Sequence, residues 1–182
     1  MDKRLCFALL ALSATLAHGA PAAAEDDMGR FIADKGLLGQ IEQVRATVAD
    51  RTSELVVTAM GFLGVPYRRG GNDADTGFDC SGFVRSMYER TIGLVLPRLA
   101  KDQAAATKPI DQRELQPGDL VFFNTMKRAF SHVGIYIGEG KFIHSPRPGA
   151  QVRVEDMHQA YWERRFDGAR RVVNDAPVTA QQ

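Results

Sequence analysis

The spacing of apolar residues divides the chain into a helical first half and a second half with the alternation typical of strands. Between residues 25 and 51, apolar side chains recur at helical intervals. They are Leu37, Leu38, Ile41, Val44 and Val48. This stripe predicts an amphipathic helix that packs on the main domain, and a cap over an active groove or a contact with a partner stays open as its function.

Three more helices are predicted before the pattern changes, at about residues 52–63, 80–90 and 98–106. A capping sequence at Thr52–Glu54 starts the first of them. Its expected buried stripe is Leu55, Val56, Ala59, Met60 and Leu63. The second begins at Cys80, after a loop rich in glycine, and its apolar face contains Phe83, Val84 and Met87.

After Gly118 the apolar period changes from helical to strand-like. The predicted strands are Leu120–Phe123, Val133–Ile137, Lys141–His144, Gln151–Val154 and Phe166–Val173. Helices followed by a meander of strands predict an α+β domain, with N-terminal helices packed on an antiparallel sheet of about five to six strands. We assign this domain to residues 52–173, after a helical segment at 25–51 and before a loose tail at 174–182.

The composition fits one globular domain with flanking segments, since the 182 residues are 45% hydrophobic and 25% charged. The formal net charge is +1, and the segment Asp2–Arg4 alone supplies that charge. A nearly neutral chain lacks the concentrated basic surface that phosphate backbones require. We therefore expect no nucleic acid partner.

The first 24 residues have the three parts of an export signal. Lys3 and Arg4 precede an apolar run at Leu5–Leu16, and Ala22–Ala24 supplies small residues for cleavage. The apolar run is too short to span a bilayer, so we expect a cleaved signal peptide and no integral membrane segment in the mature protein. This predicts a periplasmic or a secreted protein.

Cys80 is the cysteine that the mature chain is expected to keep, because Cys6 lies inside the export signal. A lone thiol in an exported protein has no partner for an internal disulfide, which makes Cys80 the leading candidate for a nucleophile. An ordinary thiol has a pKa of about 8.5 and is mostly protonated at neutral pH. A helix N-terminus and a neighbouring imidazolium both lower that pKa, and Cys80 opens a predicted helix.

His132 and His144 supply the imidazoles that such a nucleophile needs. Strand alternation places His132, Gly134 and Tyr136 on one face, and the glycine would let the helix that carries the cysteine approach closely. A two-residue turn would put the histidines on opposite faces. We expect instead a three-residue turn at Gly138–Gly140, which brings both rings onto one face and lets His144 orient His132.

Three residues near the cysteine have two interpretations each. The phenol of Tyr67 could donate a hydrogen bond to an oxyanion beside the backbone N–H of Cys80, and a half-buried tyrosine with a satisfied hydroxyl explains its position equally well. Asp79 caps the helix or binds a substrate amine, and capping needs fewer assumptions. Ser81 is expected to satisfy a free N–H at the same helix start, and we keep it with Asp79 as a candidate for substrate binding.

These residues resemble those of the NlpC-type cell-wall peptidases, a family of papain-like cysteine peptidases. The motifs that carry the resemblance are Gly64–Tyr67, Gly70–Gly71, Asp79–Val84, Leu96–Gln103, Gln116–Phe123, His132–Gly138 and Phe142–Ser145. The resemblance implies a papain-like α+β fold with Cys80 as nucleophile, His132 as base, His144 as the polar third residue and Tyr67 at the oxyanion. It also implies a substrate, the short peptides of bacterial peptidoglycan, cut beside diaminopimelate or between stem peptides.

One departure from the family is Arg69, since the family often has an aromatic residue just before the paired glycines. Together with Arg68, it could clamp the carboxylates of peptidoglycan stems, and two solvated loop charges explain the pair equally well.

The predicted activity is hydrolysis of amide bonds in murein stem or cross-link peptides by a Cys-His-His thiol mechanism, without a metal or other cofactor. An amidase or acyltransferase on the same fold stays open as an alternative, as does an inactive wall-binding protein. Cys80, His132 and His144 could also be soft metal ligands, but they lack a fourth ligand and the short paired spacing of structural zinc sites. The sequence identifies no regulatory or targeting protein.

Overall fold

The computed structural model describes residues 37–173. The chain divides into two units, Met1–Gln43 and Val44–Gln182, and helix α1 (Leu37–Met60) contains residues of both. The predicted export signal and the predicted tail lie outside the described residues, as does the start of the predicted segment at 25–51. Between residues 37 and 173 no helix combines the length and the apolar character needed to cross a bilayer.

Helix α1 is one continuous helix, where the sequence analysis predicted two. It runs through Thr52 without interruption because no glycine or proline occurs between Gln40 and Met60. Leu55 and Ala59 are buried as predicted. Three other members of the predicted stripes are exposed, namely Val44, Met60 and Leu63.

Helix α2 (Cys80–Ile92) begins at the residue predicted from the sequence. It follows a small hairpin of β1 (Asn72–Asp73) and β2 (Gly77–Phe78). Asp79 is its N-cap, since the side chain accepts a hydrogen bond from the N–H of Gly82. Its buried face contains the predicted residues Phe83, Val84 and Met87. The short helix α3 (Ala100–Ala105) lies within the predicted range.

The second half of the chain forms one antiparallel sheet. Its strands are β3 (Lys108–Ile110), β4 (Leu120–Phe123), β5 (His132–Gly138), β6 (Lys141–His144), β7 (Arg153–Asp156) and β8 (Phe166–Arg171). Their order in the sheet is β3-β8-β4-β5-β6-β7. A 3-10 turn at Gln112–Glu114 precedes β4, and a short helix α4 (Ala160–Glu163) connects β7 to β8. The predicted α+β class and the predicted strand number are confirmed.

Apart from α1, three elements were displaced or not predicted, and β8 ends at Arg171, two residues earlier than expected. β7 begins two residues later than expected, because Gln151 forms an isolated bridge with Pro66 instead of entering the strand. β3 was not predicted, since it is three residues long and contains Pro109, which an edge strand tolerates. α4 was also missed, because four residues are too few for a helical period to be recognised.

Alternate residues of β4 pack into two separate hydrophobic clusters. Leu120 and Phe122 belong to the cluster that contains the buried face of α2. Val121 and Phe123 belong to a second cluster, on the other face of the sheet, with Trp162 of α4. The sheet is therefore covered on both faces, and its second face is rich in aromatic rings.

The turn between β5 and β6 differs from the predicted one. Gly138 pairs with Lys141, so the turn contains two residues, Glu139 and Gly140. Both have positive φ, at 51° and 70°, which is typical of a tight two-residue hairpin turn. The prediction of a three-residue turn is wrong.

A bulge restores the register that the longer turn was expected to give. The register shifts between Tyr136 and Gly138, so that Ile135 pairs with Ile143. Gly134 consequently lies beside His144, and a Cβ atom added to Gly134 would lie 3.2 Å from the Cβ of His144. The predicted proximity of Gly134 and His144 is therefore correct, although the predicted turn is wrong.

Gly134 does not make room for helix α2, as the sequence analysis expected. A Cβ atom added to Gly134 would lie 2.6 Å from Cδ2 of Phe142 and 3.0 Å from the carbonyl oxygen of Ile143. Both belong to β6. The glycine therefore makes room for the neighbouring strand and its rings, on the face of the sheet opposite to α2.

Candidate active site

Tyr67, Cys80 and His132 line one cleft of about 620 Å³. Cys80 is a free, half-buried thiol and the first residue of α2. The structure therefore brings the predicted nucleophile, base and oxyanion candidate to the same cavity. Further walls come from the loop at Pro146–Pro148 and from Tyr161 and Trp162.

The rings of His132 and His144 are in direct contact. Nε2 of His132 lies 2.6 Å from Nδ1 of His144, and the rings meet edge to face. His132 is 4% exposed and His144 is fully buried. Nε2 of His132 is engaged in the contact with His144. Nδ1 is therefore the ring nitrogen of His132 that can still bind a group in the cleft.

Aromatic side chains fix the orientation of this pair. Trp162 stacks on His132 with a centroid distance of 5.6 Å and an interplanar angle of 23°. The same indole meets the ring of His144 edge to face, and Phe142 also contacts His144. The sequence analysis missed Trp162 because the helix that carries it was not predicted.

Burial keeps both imidazoles neutral. It lowers the pKa of His132 well below the ordinary value, and the neighbouring His144 lowers it further. Burial also lowers the pKa of His144, against an opposing contribution from Glu155. Neither ring carries a full positive charge in the free protein at neutral pH.

The thiol of Cys80 is also neutral at rest. Burial raises its pKa to about 11, and the adjacent carboxylate of Asp79 adds to the rise. The backbone N–H groups of Val133 and Ser81 and the guanidinium of Arg98 act in the opposite direction. Burial therefore opposes the lowering of the thiol pKa that the sequence analysis expected from the helix N-terminus and a neighbouring imidazolium.

A hydrogen-bonded network engages the carboxylate of Asp79. It accepts bonds from the N–H groups of Gly82 at 2.8 Å and Gly70 at 3.0 Å. Arg98 donates to both carboxylate oxygens, at 3.0 and 2.7 Å, and to the hydroxyl of Ser81 at 3.0 Å. These contacts favour capping over amine binding for Asp79. They also tie Ser81 to Arg98, where a bond to a free N–H was expected.

Tyr67 is half-buried at the edge of the cleft. Burial raises the pKa of its phenol, and Cys80 and Asp79 add to the rise, so the hydroxyl keeps its proton and can donate a hydrogen bond. Arg68 and Arg69 are exposed and do not line the cleft.

Two arginines that the sequence analysis did not consider as substrate ligands line the cleft, Arg147 and Arg153. His158 is exposed and does not line the cleft.

Glu155 is a further residue that the sequence analysis missed. Its Oε2 lies 3.5 Å from Nε2 of His144, and it lines the cleft. The predicted strand ended at Val154, so Glu155 fell outside it. If the predicted strand had been extended past Val154, its alternation would have placed Glu155 on the same face of the sheet as Arg153.

The described geometry gives no support to a metal site. Between residues 37 and 173, no three or more His, Cys, Asp or Glu side chains are grouped so that they could hold a metal ion. The facing nitrogens of the two histidines are directed at each other.

Comparison with known proteins identifies relatives over most of the domain. The family model described as "NlpC/P60 family" matches residues 64–171. Murein DD-endopeptidase MepH of Escherichia coli (strain K12) is 42% identical over 132 residues, which cover 71% of this chain and 49% of that protein. Gamma-DL-glutamyl hydrolase of Bacillus subtilis (strain 168) is 37% identical over 133 residues, which cover 72% of this chain and 32% of that protein.

A solved structure has the same fold. The crystal structure of an NlpC/P60 family protein from Bacillus cereus ATCC 10987 superposes with a TM-score of 0.61 at 37% sequence identity. The match covers 66% of this chain and 39% of that chain. This chain thus spans about half or less of the length of these relatives.

Proposed function

This chain belongs to the NlpC/P60 family, and from that premise we propose that it is a cysteine endopeptidase that hydrolyses amide bonds in the stem or cross-link peptides of peptidoglycan. The observation that carries the proposal is the cleft shared by Cys80 and His132, with His144 bonded behind the base. One relative is named a murein DD-endopeptidase, which supports the substrate class.

The reaction begins with two neutral groups. As the sulfur of Cys80 attacks the carbonyl carbon, its proton passes to Nδ1 of His132, whose Nε2 stays bonded to His144. The imidazolium then protonates the departing amine, which leaves a thioester on Cys80. Water hydrolyses this thioester, with His132 as the base, and the thiol is regenerated.

Two donors are available for the oxyanion. Cys80 is the first residue of α2, so its N–H has no acceptor within the helix. The hydroxyl of Tyr67 is protonated and lines the same cleft. We assign these two groups to the tetrahedral intermediate, where each stabilises the negative charge that forms on the carbonyl oxygen.

The charges in the cleft suit a peptide with carboxylates. Arg153 pairs with Glu155, whereas Arg147 forms no ion pair with any residue between 37 and 173. A free guanidinium at the wall of a peptidase cleft matches the carboxylates of peptidoglycan stems. This assigns to Arg147 the role that the sequence analysis gave to Arg68 and Arg69.

The network around Asp79 supports cleavage inside a peptide. A carboxylate near the nucleophile could bind the free N-terminal ammonium of a substrate. The carboxylate beside Cys80 is paired with Arg98 instead. We therefore favour an endopeptidase over an enzyme that removes residues from a free amino end.

The substrate class implies a place outside the cytoplasm. Peptidoglycan lies outside the cytoplasmic membrane, and the predicted signal peptide would deliver the protein there. The periplasm is the proposed location, with secretion as the alternative.

A digest of purified peptidoglycan tests activity and bond choice together. The protein should release peptides whose new termini, identified by mass spectrometry, show which amide was cut. Cys80→Ala should reduce release to background, because the nucleophile is removed. His158→Ala, at an exposed position outside the cleft, is the matched control and should keep the parental rate.

Two results would decide against the proposal. One is release at the parental rate by a folded Cys80→Ala protein. The other is a product in which the acyl group is passed to an added amine or alcohol instead of water, which would identify an acyltransferase.

A further inference from the structure

We propose that Glu155 is a positioning residue, whose carboxylate holds His144 in the tautomer that leaves Nδ1 of His132 free to accept the thiol proton. Oε2 of Glu155 lies 3.5 Å from Nε2 of His144. That nitrogen is buried and forms no hydrogen bond of normal length with any residue between 37 and 173. Catalytic hydrogen bonds are often long in the free enzyme and shorten when charge develops.

The tautomers follow from the single proton of each neutral ring. A base at Nδ1 of His132 requires a proton on its Nε2, which donates to Nδ1 of His144 across 2.6 Å. Nδ1 of His144 is then an acceptor, so the proton of that ring is on Nε2, next to Glu155. The opposite arrangement would put a proton on Nδ1 of His132 and remove the base.

The carboxylate is fixed and ionised. Nε of Arg153 donates to Oε1 of Glu155 at 2.6 Å, and a terminal nitrogen of Arg153 pairs with the same oxygen, which leaves Oε2 for His144. Burial raises the pKa of Glu155, but the contacts with His144 and Arg153 outweigh burial and hold the pKa below its ordinary value. A negative charge therefore adjoins the ring that supports the imidazolium of His132.

The carboxylate of Glu155 raises the pKa of His144. The titratable and charged groups in contact with the histidine pair are Arg153 and Glu155 of β7, and α4 contributes the neutral Trp162. The other titratable and charged groups that line the cleft with His132 are Tyr67, Cys80, Arg147 and Tyr161. Burial lowers the pKa of His144, Glu155 raises it and Arg153 lowers it. Removing the carboxylate therefore lowers the pKa of His144 further.

The test compares Glu155→Gln with Glu139→Gln, which removes the same charge from a side chain that is 87% exposed on the β5–β6 turn. Nitrogen-15 NMR of the histidine rings should show a protonated Nε2 on His144 in the parent and in Glu139→Gln. In Glu155→Gln, the Nδ1–H tautomer should become populated, and His144 should titrate at lower pH.

Activity provides a second measurement, which depends on the proposed function. In Glu155→Gln, kcat for peptide release should fall about tenfold at unchanged KM, and the acid limb of the pH–rate profile should move to lower pH. Glu155→Asp keeps the charge and should restore part of kcat and most of the pH position. This variant also tests the proposal if Glu155→Gln fails to fold.

The outcomes separate the two proposals. If no peptide is released by the parent, the proposed function fails, but the NMR comparison still decides the role of Glu155. The inference is overturned if Glu155→Gln keeps the parental tautomer and titration of His144. It is also overturned if the Gln and Asp variants lose the same activity without a shift of the pH profile, since that pattern indicates a merely structural role.

Discussion

At the scale of the residue, the protonation state of Cys80 governs how the site reacts. Burial raises the pKa of this thiol to about 11 and lowers the pKa of His132, so burial favours a neutral thiol and a neutral imidazole in the free protein. The thiolate is the form that reacts with oxidants and alkylating agents. A neutral thiol therefore reacts slowly with such agents, and the proposed mechanism forms the thiolate only when a substrate is bound and the proton passes to the histidine.

The rate of alkylation of Cys80 should follow this pKa. Because the reactive fraction is the thiolate, the rate with iodoacetamide should rise about tenfold per pH unit and level off only near pH 11. Mass spectrometry of the peptide that contains Cys80 measures the rate, with Cys80→Ser as the background. A rate that is already constant between about pH 6 and 8 would contradict the prediction, because it requires a thiolate at neutral pH.

At the scale of the element, the β5–β6 hairpin determines whether the two histidines meet. Its two-residue turn alone would place the rings on opposite faces of the sheet. The bulge between Tyr136 and Gly138 inserts the residue that returns them to one face. Gly134, without a side chain, then leaves room for Phe142 and His144.

Gly134→Ala should disturb both stability and activity. The added Cβ would approach Phe142 to 2.6 Å, so β6 and the ring of His144 must move. We expect a loss of about 1–3 kcal/mol in the free energy of unfolding, measured with urea, and a lower rate of peptide release.

The matched control for this substitution is Gly39→Ala, where an added Cβ meets nothing within 4 Å. It lies in helix α1, where alanine is favoured over glycine, so stability should be unchanged or higher. Equal behaviour of the two variants would show that the close packing at Gly134 does not matter.

At the scale of the whole molecule, two histidines are enclosed among aromatic rings on the second face of the sheet. The cluster contains Phe123, Phe142 and Trp162, and all three are buried. The surrounding rings fix the geometry of the imidazole pair. They also exclude water, which disfavours the protonated, charged form of each imidazole in the folded state. The same burial that shapes the site therefore makes the fold sensitive to acid.

The free energy of unfolding should fall as the pH drops below the ordinary histidine pKa of about 6.5. His132 and His144 have lowered pKa values when folded, so the unfolded chain binds more protons in that range. Their contribution is present above the unfolded pKa and is lost as the pH falls, by about 1.4 kcal/mol per histidine for each pH unit.

Urea unfolding at pH 7 and at about pH 5.5 measures this loss. His144→Asn should make the pH dependence shallower, and His158→Gln, at an exposed position, is the matched control. A free energy of unfolding that is the same at both pH values would show that the buried pair accepts protons when folded.

The elements that the sequence predicted well are those that bury a regular apolar face. The strands β4 and β6 and the start of α2 match their predicted positions, because alternation, helical spacing and an N-cap are local properties of the chain. The edge strand β3 and the helix α4 are too short to give such a pattern. β7 was displaced because Gln151 pairs with a loop distant in sequence.

By itself, the sequence determined the α+β class, the cysteine at the mouth of a helix, and the two histidines on neighbouring strands of one sheet. Residue type and local spacing are sufficient for these. Only the tertiary structure decided the bulge that aligns the histidines, the pairing of Asp79 with Arg98, the neutral thiol and the contact of Glu155 with His144. Each of these depends on burial or on contacts between residues distant along the chain, which local spacing by itself does not determine.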